Sequence, residues 1–193
     1  MSEVSPILYI IAGPNGAGKT TASFNVLPTI LDCKEFVNAD EIARGLSPFD
    51  VESVAILAGK LMLERINMLL DQHTTFAIET TLATGKTYEK IIAKAKSLGY
   101  QVQLHFFWLS SPDIAFNRVA KRVREGGHNI PHDVIERRYW RGLKNLFERF
   151  LPIVDDWALY DNNDKAILIA DNKRVFNIQL YNEIKLLCQN RNV

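Results

Sequence analysis

Cysteine is scarce in this chain: the 193 residues contain two, Cys33 and Cys188, far apart and without the spacing of a metal-ligand set. A disulfide scaffold or a zinc module is thereby excluded, and free thiols in a reducing compartment are expected, which points to the cytoplasm. Long apolar runs are missing as well. Nothing approaches the roughly 18 residues of a membrane span, and the apolar stretch from Ile7 to Ala12 lacks the basic flank of a secretory leader. Neither sign of charge dominates. The 23 Lys and Arg face 22 Asp and Glu, which argues against a protein built wholly around a polyanion. There is no internal repeat, low-complexity tract or linker, so residues 1–193 read as a single domain.

What is present is an alternation of strand-length apolar runs with longer segments of helical period. Ile7 to Ala12 is continuous and apolar, as a parallel strand buried on both faces should be. Thr75 to Ile78, Val102 to Leu109 and Ala166 to Ala170 have the same character, and Glu35 to Asn38 and Trp157 to Tyr160 are weaker strands. Val51, Val54, Ala55, Ala58, Leu61, Met62 and Leu69 trace one face of a long helix whose expected N-cap is Asp50. Gly99 sits where a left-handed residue would end a helix over Lys86–Leu98. Ser111-Pro112 opens another helix, with serine capping and proline in the first turn. This order predicts an α/β fold, a three-layer sandwich with a central parallel sheet.

Gly13-Pro14-Asn15-Gly16-Ala17-Gly18-Lys19-Thr20 satisfies G-x-x-x-x-G-K-[ST], and Thr21 follows it. The motif stands between a strand and a helical pattern, the context it requires. Glycines let backbone amides crowd around phosphate oxygens, and the helix adds its positive N-terminal end. Lys19 is placed to reach the β- and γ-phosphates, and the Thr20 hydroxyl to ligate Mg²⁺. A bound nucleoside triphosphate follows from this loop; the reaction does not.

Two carboxylates stand at strand ends, where ligands of open parallel sheets bind. Asp40, in Asn38-Ala39-Asp40-Glu41, would orient an attacking hydroxyl and accept its proton. Glu79, before Thr80-Thr81, would hold Mg²⁺ or fix the acceptor. Each has a plainer alternative: Asp40 as a helix N-cap, Glu79 as a loop carboxylate.

From Arg118 to Arg149 nine Arg or Lys face four Asp or Glu. Arg118 and Arg122 share one helix face, and with Arg124 they lead into Glu125-Gly126-Gly127-His128-Asn129-Ile130-Pro131. A basic helix broken in this way suits a lid over residues 118–140 that closes on a triphosphate and neutralises charge on the transferred group. The plainer reading is a solvated cationic face, with His128 bonded to loop backbone. The patch, with Tyr139 and Trp140 interleaved, also suits nucleic acid, a reading the balanced charge elsewhere disfavours.

Together, GPNGAGKTT, NADEIA, ETTL, RVREGGHNIP and WALYDNND resemble the zeta-toxin family of P-loop kinases, in the family's order and over nearly the whole chain. The resemblance implies ATP and Mg²⁺ as cofactors and phosphorylation of a nucleotide-sugar hydroxyl, with UDP-N-acetylglucosamine the best-known acceptor. It also implies an antitoxin protein as a partner. Lys19 and Thr20 match phosphate and metal ligands, Asp40 the general base, and Glu79 and Thr81 acceptor-binding positions. Arg118 or Arg122, and Arg124, resemble phosphate-clamping arginines, and Asn162 falls in the motif near the nucleotide base. The chain departs at Ala83, where the family's nucleotide-sugar kinases carry an arginine. A nucleotide-driven switch or transport ATPase, for which the chain lacks an LSGGQ-type signature, and a polynucleotide kinase are the competing readings.

Overall fold

The computed structural model describes residues 5–29 and 31–189; residues 1–4, 30 and 190–193 of the expected 1–193 domain lie outside the described residues. Strand β1 (Ile7–Ala12) leads into helix α1 (Lys19–Val26), and β2 (Glu35–Val37) into α2 (Ala39–Leu46) and α3 (Ala55–Asp71). Then follow β3 (Phe76–Thr80), α4 (Gly85–Ser97), β4 (Gln101–Trp108), α5 (Pro112–Arg124) and α6 (His132–Asn145), which continues as a π-helical turn over Leu146–Phe150. Strands β5 (Asp156–Asp161) and β6 (Ile167–Asp171) precede α7 (Ile178–Gln189).

The six strands form one sheet in the order β2-β3-β1-β4-β5-β6. Every residue of β1 from Leu8 to Ala12 is buried, because both its faces are covered; the unbroken apolar run is the signature of that position. Strand β1 lies at the point where the order reverses, so the loop after it opens into the crevice that such sheets use for ligands. The expectation of a parallel sheet holds for β1 to β5 but not for β6, which pairs antiparallel with β5. Residues 162–166 are too few for the crossover a parallel return needs, so the chain folds back on itself.

Helix ends follow local chemistry. Ser111 accepts a hydrogen bond from the Ile114 amide at 3.3 Å, with Pro112 at the helix start. Gly99 has φ +82° just past α4. The long helix does not begin after Asp50. That carboxylate accepts from the Ser53 amide at 3.3 Å and its carbonyl from the Ser53 hydroxyl at 2.8 Å, which closes a separate turn. Helix α3 starts only at Ala55, with Val54 at the cap. Asp40 is not a cap either. Asn38, in extended conformation, accepts from the Asp40 amide at 2.8 Å and is the N-cap of α2, so the Asp40 carboxylate is left available.

Candidate functional site

The phosphate loop is folded as its sequence demands. Gly13, Gly16 and Gly18 all have positive φ, and a Cβ on Gly13 would collide with the Phe107 carbonyl of the neighbouring strand. The loop is braced from the end of β5, two strands away: Asn162 donates to the Ala17 carbonyl at 2.6 Å. Arg118 donates to the carbonyls of Asn162, at 2.9 Å, and Asn163. In this conformation Asn162 and Arg118 hold the loop's shape.

Lys19 is nearly buried, donates to the Pro14 carbonyl at 2.9 Å and stands 3.8 Å from Glu79. Thr20 donates its hydroxyl hydrogen to the other oxygen of Glu79 at 2.8 Å. Register explains the meeting. Ile11 pairs with Glu79 and Ala12 with Thr80, so the strand neighbouring β1 delivers its carboxylate beside the loop. Burial raises the Glu79 pKa, and Lys19 and the Thr20 hydrogen bond partly offset it. Burial lowers the Lys19 pKa, against the pull of Glu79 and Asp40.

Strand β2 ends at Val37, opposite Ile78, and the chain turns into α2 one position later. That turn carries Asp40 to the same crevice, its carboxylate half exposed and 3.9 Å from His128 Nε2 on the loop between α5 and α6. His128 therefore faces a carboxylate, and burial lowers its pKa. Replacing Asn38 with Ala should remove the α2 cap at a cost of about 1 kcal/mol, seen as a lower urea midpoint with an unchanged slope.

Two cavities meet at these residues. One, of about 190 Å³, is lined by the phosphate loop, Thr21, Arg44, Arg118, Arg122 and His128. The other, of about 350 Å³, is lined by Thr80, Thr81, Ala83, Tyr88, Arg138 and Arg141 among others. Asn15, Lys19, Asp40 and Glu79 line both. Arg122 bonds the His128 carbonyl at 3.3 Å and its buried Nε has no partner among the described residues. Arg124 is exposed and lines neither cavity.

The second cavity holds the residues that sequence reasoning missed: Tyr88, Arg137, Arg138 and Arg141. A signal existed in Gly142, a glycine inside a helix. A Cβ there would overlap the Thr81 carbonyl, so the glycine lets α6 press onto the turn after β3. Leu82 in that turn has φ +57°, and is held by Thr80 Oγ1, which accepts from its amide at 2.9 Å, and by Asn145, which donates to its carbonyl at 2.7 Å. A non-glycine residue in that region is strained and persists only when its surroundings fix it.

Thr20 and Glu79 form a pair of hard oxygen donors at the phosphate end. No group of three or more His, Cys, Asp or Glu able to hold a metal occurs among the described residues. A magnesium ion on a triphosphate needs only one or two protein oxygens, so the pair fits it. No described helix is long and apolar enough to cross a membrane.

A family model for Zeta toxin matches residues 1–174. An uncharacterized protein of Haemophilus influenzae is 32% identical over 129 residues, spanning 66% of this chain and 88% of that one. The structure of the PezAT chromosomal toxin–antitoxin system of Streptococcus pneumoniae superposes with TM-score 0.69 at 20% identity, over 98% of this chain and 86% of the other. The AvrRxo1-ORF1:ORF2 complex with ATP gives TM-score 0.76 at 18% identity, over 94% of this chain and 64% of the other. At these identities the two structures establish the fold alone, a mostly parallel sheet with helices on both faces.

Proposed function

The chain belongs to the zeta-toxin family, and on that premise we propose that it transfers the γ-phosphoryl group of ATP to a hydroxyl of a small acceptor. The observation that carries the reading is the pair of cavities with Asn15, Lys19, Asp40 and Glu79 at their junction. A donor in one and an acceptor in the other would bring the reacting atoms together at those four side chains, and positioning supplies most of the catalysis in phosphoryl transfer.

Gly13 to Thr21 would cradle the phosphates, with Lys19 on the β- and γ-oxygens. Asp40 accepts the acceptor's proton as the hydroxyl oxygen bonds to the γ-phosphorus and the bond to the β-phosphate oxygen breaks, releasing ADP. Magnesium, held by Thr20 with Glu79 behind it, would supply charge neutralisation on the phosphates. Glu79 and Thr81 border the acceptor. Arg122, on the phosphate cavity, is the lid arginine placed to stabilise the transferred group. Arg118 would act by holding the loop, and Arg124 would take part only if the lid closed further. Asn162 would support the loop beside the nucleotide base.

A nucleotide sugar such as UDP-N-acetylglucosamine is the acceptor the family suggests, and Ala83, in place of the arginine, removes one fixed cationic fork for it. Arg138 and Arg141 on the same cavity offer replacement cations. An antitoxin partner is proposed from the family and from the toxin–antitoxin system among its structural neighbours. The test is a metabolite extract incubated with the protein and ATP, followed by mass spectrometry. A compound gaining one phosphate is expected. ADP release without any phosphorylated product, stimulated by a protein partner, would instead establish a switch.

A further inference from the structure

We propose that His128 is a positioning residue: when a triphosphate fills the phosphate cavity, its Nε2–H bonds one oxygen of Asp40 and leaves the other facing the acceptor. The inference rests on the kinase reading and deepens it, naming what orients the base and what ties the base to a bound nucleotide.

The segment that carries His128 has a fixed shape. Helix α5 ends in a tight turn in which the Glu125 and Gly127 amides both donate to the Arg122 carbonyl, at 3.1 and 2.9 Å, and the Gly126 amide donates to the Val123 carbonyl at 3.1 Å. Gly126 has φ +92°, a conformation that side chains resist. A Cβ on Gly127 would meet Arg122 Cγ at 2.7 Å. The two glycines thus let the chain reverse directly against Arg122. Beyond the turn, Ile130 is buried and anchors the far end. His128 stands between these points with its side chain mostly buried, and points Nε2 at Asp40 Oδ2 across 3.9 Å. The ring makes no hydrogen bond among the described residues.

The surroundings decide what this imidazole can do. Burial lowers its pKa; Asp40 and Glu52 oppose that, and Arg122 and Arg44 add to it. The ring is therefore neutral near neutral pH, with one N–H, and a carboxylate facing Nε2 favours the tautomer that carries hydrogen there. A neutral donor holds a carboxylate in place while leaving it its charge, whereas a cation so close would depress its basicity further. The gap to Asp40 exceeds an N–H···O hydrogen bond by about 1 Å. Arg122 supplies the means to close it. It lines the phosphate cavity, its buried Nε has no partner among the described residues, and its Nη2 donates to the His128 carbonyl at 3.3 Å. Phosphate oxygens in that cavity would draw the guanidinium inward through charge-assisted hydrogen bonds, and the His128 loop with it.

The test uses the full chain with isotope-labelled histidine, followed by NMR of the ring nitrogens with and without a saturating non-hydrolysable ATP analogue and Mg²⁺. The His128 signals are identified by their loss in His128→Gln. With the analogue, a downfield, slowly exchanging Nε2 proton is expected on His128, absent from the free protein and lost in Asp40→Ala and Arg122→Ala. In a metabolite extract supplied with ATP, His128→Ala should lower phosphate incorporation roughly tenfold or more, the worth of a hydrogen bond to a charged group, with analogue affinity near wild type. His128→Gln, which still donates an N–H, should recover much of the rate. An Nε2 signal that ignores the analogue, or responds equally in Asp40→Ala, would overturn the proposal. So would a His128→Ala protein that is less stable but transfers normally where folded. The NMR reads the contact without any transfer. A bond formed to Asp40 in a protein that phosphorylates nothing would support the His128–Asp40 link while refuting the kinase reading, and transfer without the bond would do the reverse.

Discussion

Asp40→Asn is expected to slow acceptor phosphorylation roughly 10²-fold or more while leaving the fold and ATP binding near normal. The substitution keeps the shape of the side chain but removes its charge and basicity. Stability should hold because Asp40 does not cap its helix: the α2 cap is Asn38, which takes the Asp40 backbone amide and not its carboxylate. The carboxylate is half exposed, and its one ion-pair neighbour among the described residues is His128 at 3.9 Å. Binding of ATP should hold because the phosphate loop owes its shape to glycines, Asn162 and Arg118. A nucleotide switch would need Asp40 less and should keep most of its partner-stimulated hydrolysis. Thermal midpoint, ATP affinity and transfer measured on one preparation separate these cases. Wild-type transfer in the Asn variant would remove Asp40 as the base, and a large loss of stability would return it to a structural part.

The phosphate-loop half of the candidate site is legible in the sequence, and the cavity beside it mostly is not. Gly13 to Thr20 is a local motif: its glycines, lysine and threonine are adjacent in the chain, so their arrangement needs only one strand and one helix. Glu79 and Asp40 are legible for a different reason. Glu79 lies at the end of β3 and Asp40 just beyond β2, and parallel neighbours end at one edge, so the sheet delivers both beside the loop. Arg138 and Arg141 depend on how α6 crosses the turn after β3, which is fixed by Gly142, Asn145 and the left-handed Leu82. Those are tertiary contacts, and counting charges between Arg118 and Arg149 cannot say which arginines they aim inward. The fold shows the same division. Strands around Ile7–Ala12 and Gln101–Trp108 announce themselves by apolar runs. The start of α3 does not, because Asp50 and Ser53 close a turn that competes with the helix for the same cap residue. The antiparallel β6 is decided by the length of a loop, not by the strand's composition.

Lys19→Ala should lower triphosphate affinity or turnover on the order of a hundredfold or more, by analogy with the removal of a charge-stabilising donor, without lowering stability at neutral pH. The two halves of this expectation have separate physical causes. Lys19 lines both cavities, so under the proposed reaction its ammonium would lie between donor and acceptor, where charge shifts during transfer. Its burial, however, works against the folded state. The Lys19 pKa is lowered chiefly by desolvation, so the charged form is less favourable in the folded protein than in the unfolded chain. That deficit is present at pH values below the depressed folded pKa and grades away as pH rises through the unfolded value, and Ala abolishes it. Glu79 would lose its cation but keeps the Thr20 hydroxyl at 2.8 Å and, with its pKa already raised by burial, can take up a proton. A mutant whose thermal midpoint holds or rises while transfer collapses would establish a ligand-facing lysine kept at a cost in stability. A mutant that unfolds readily but, where folded, turns over ATP normally would make Lys19 a structural partner of Glu79 and Pro14, and the phosphate-loop assignment would fall with it.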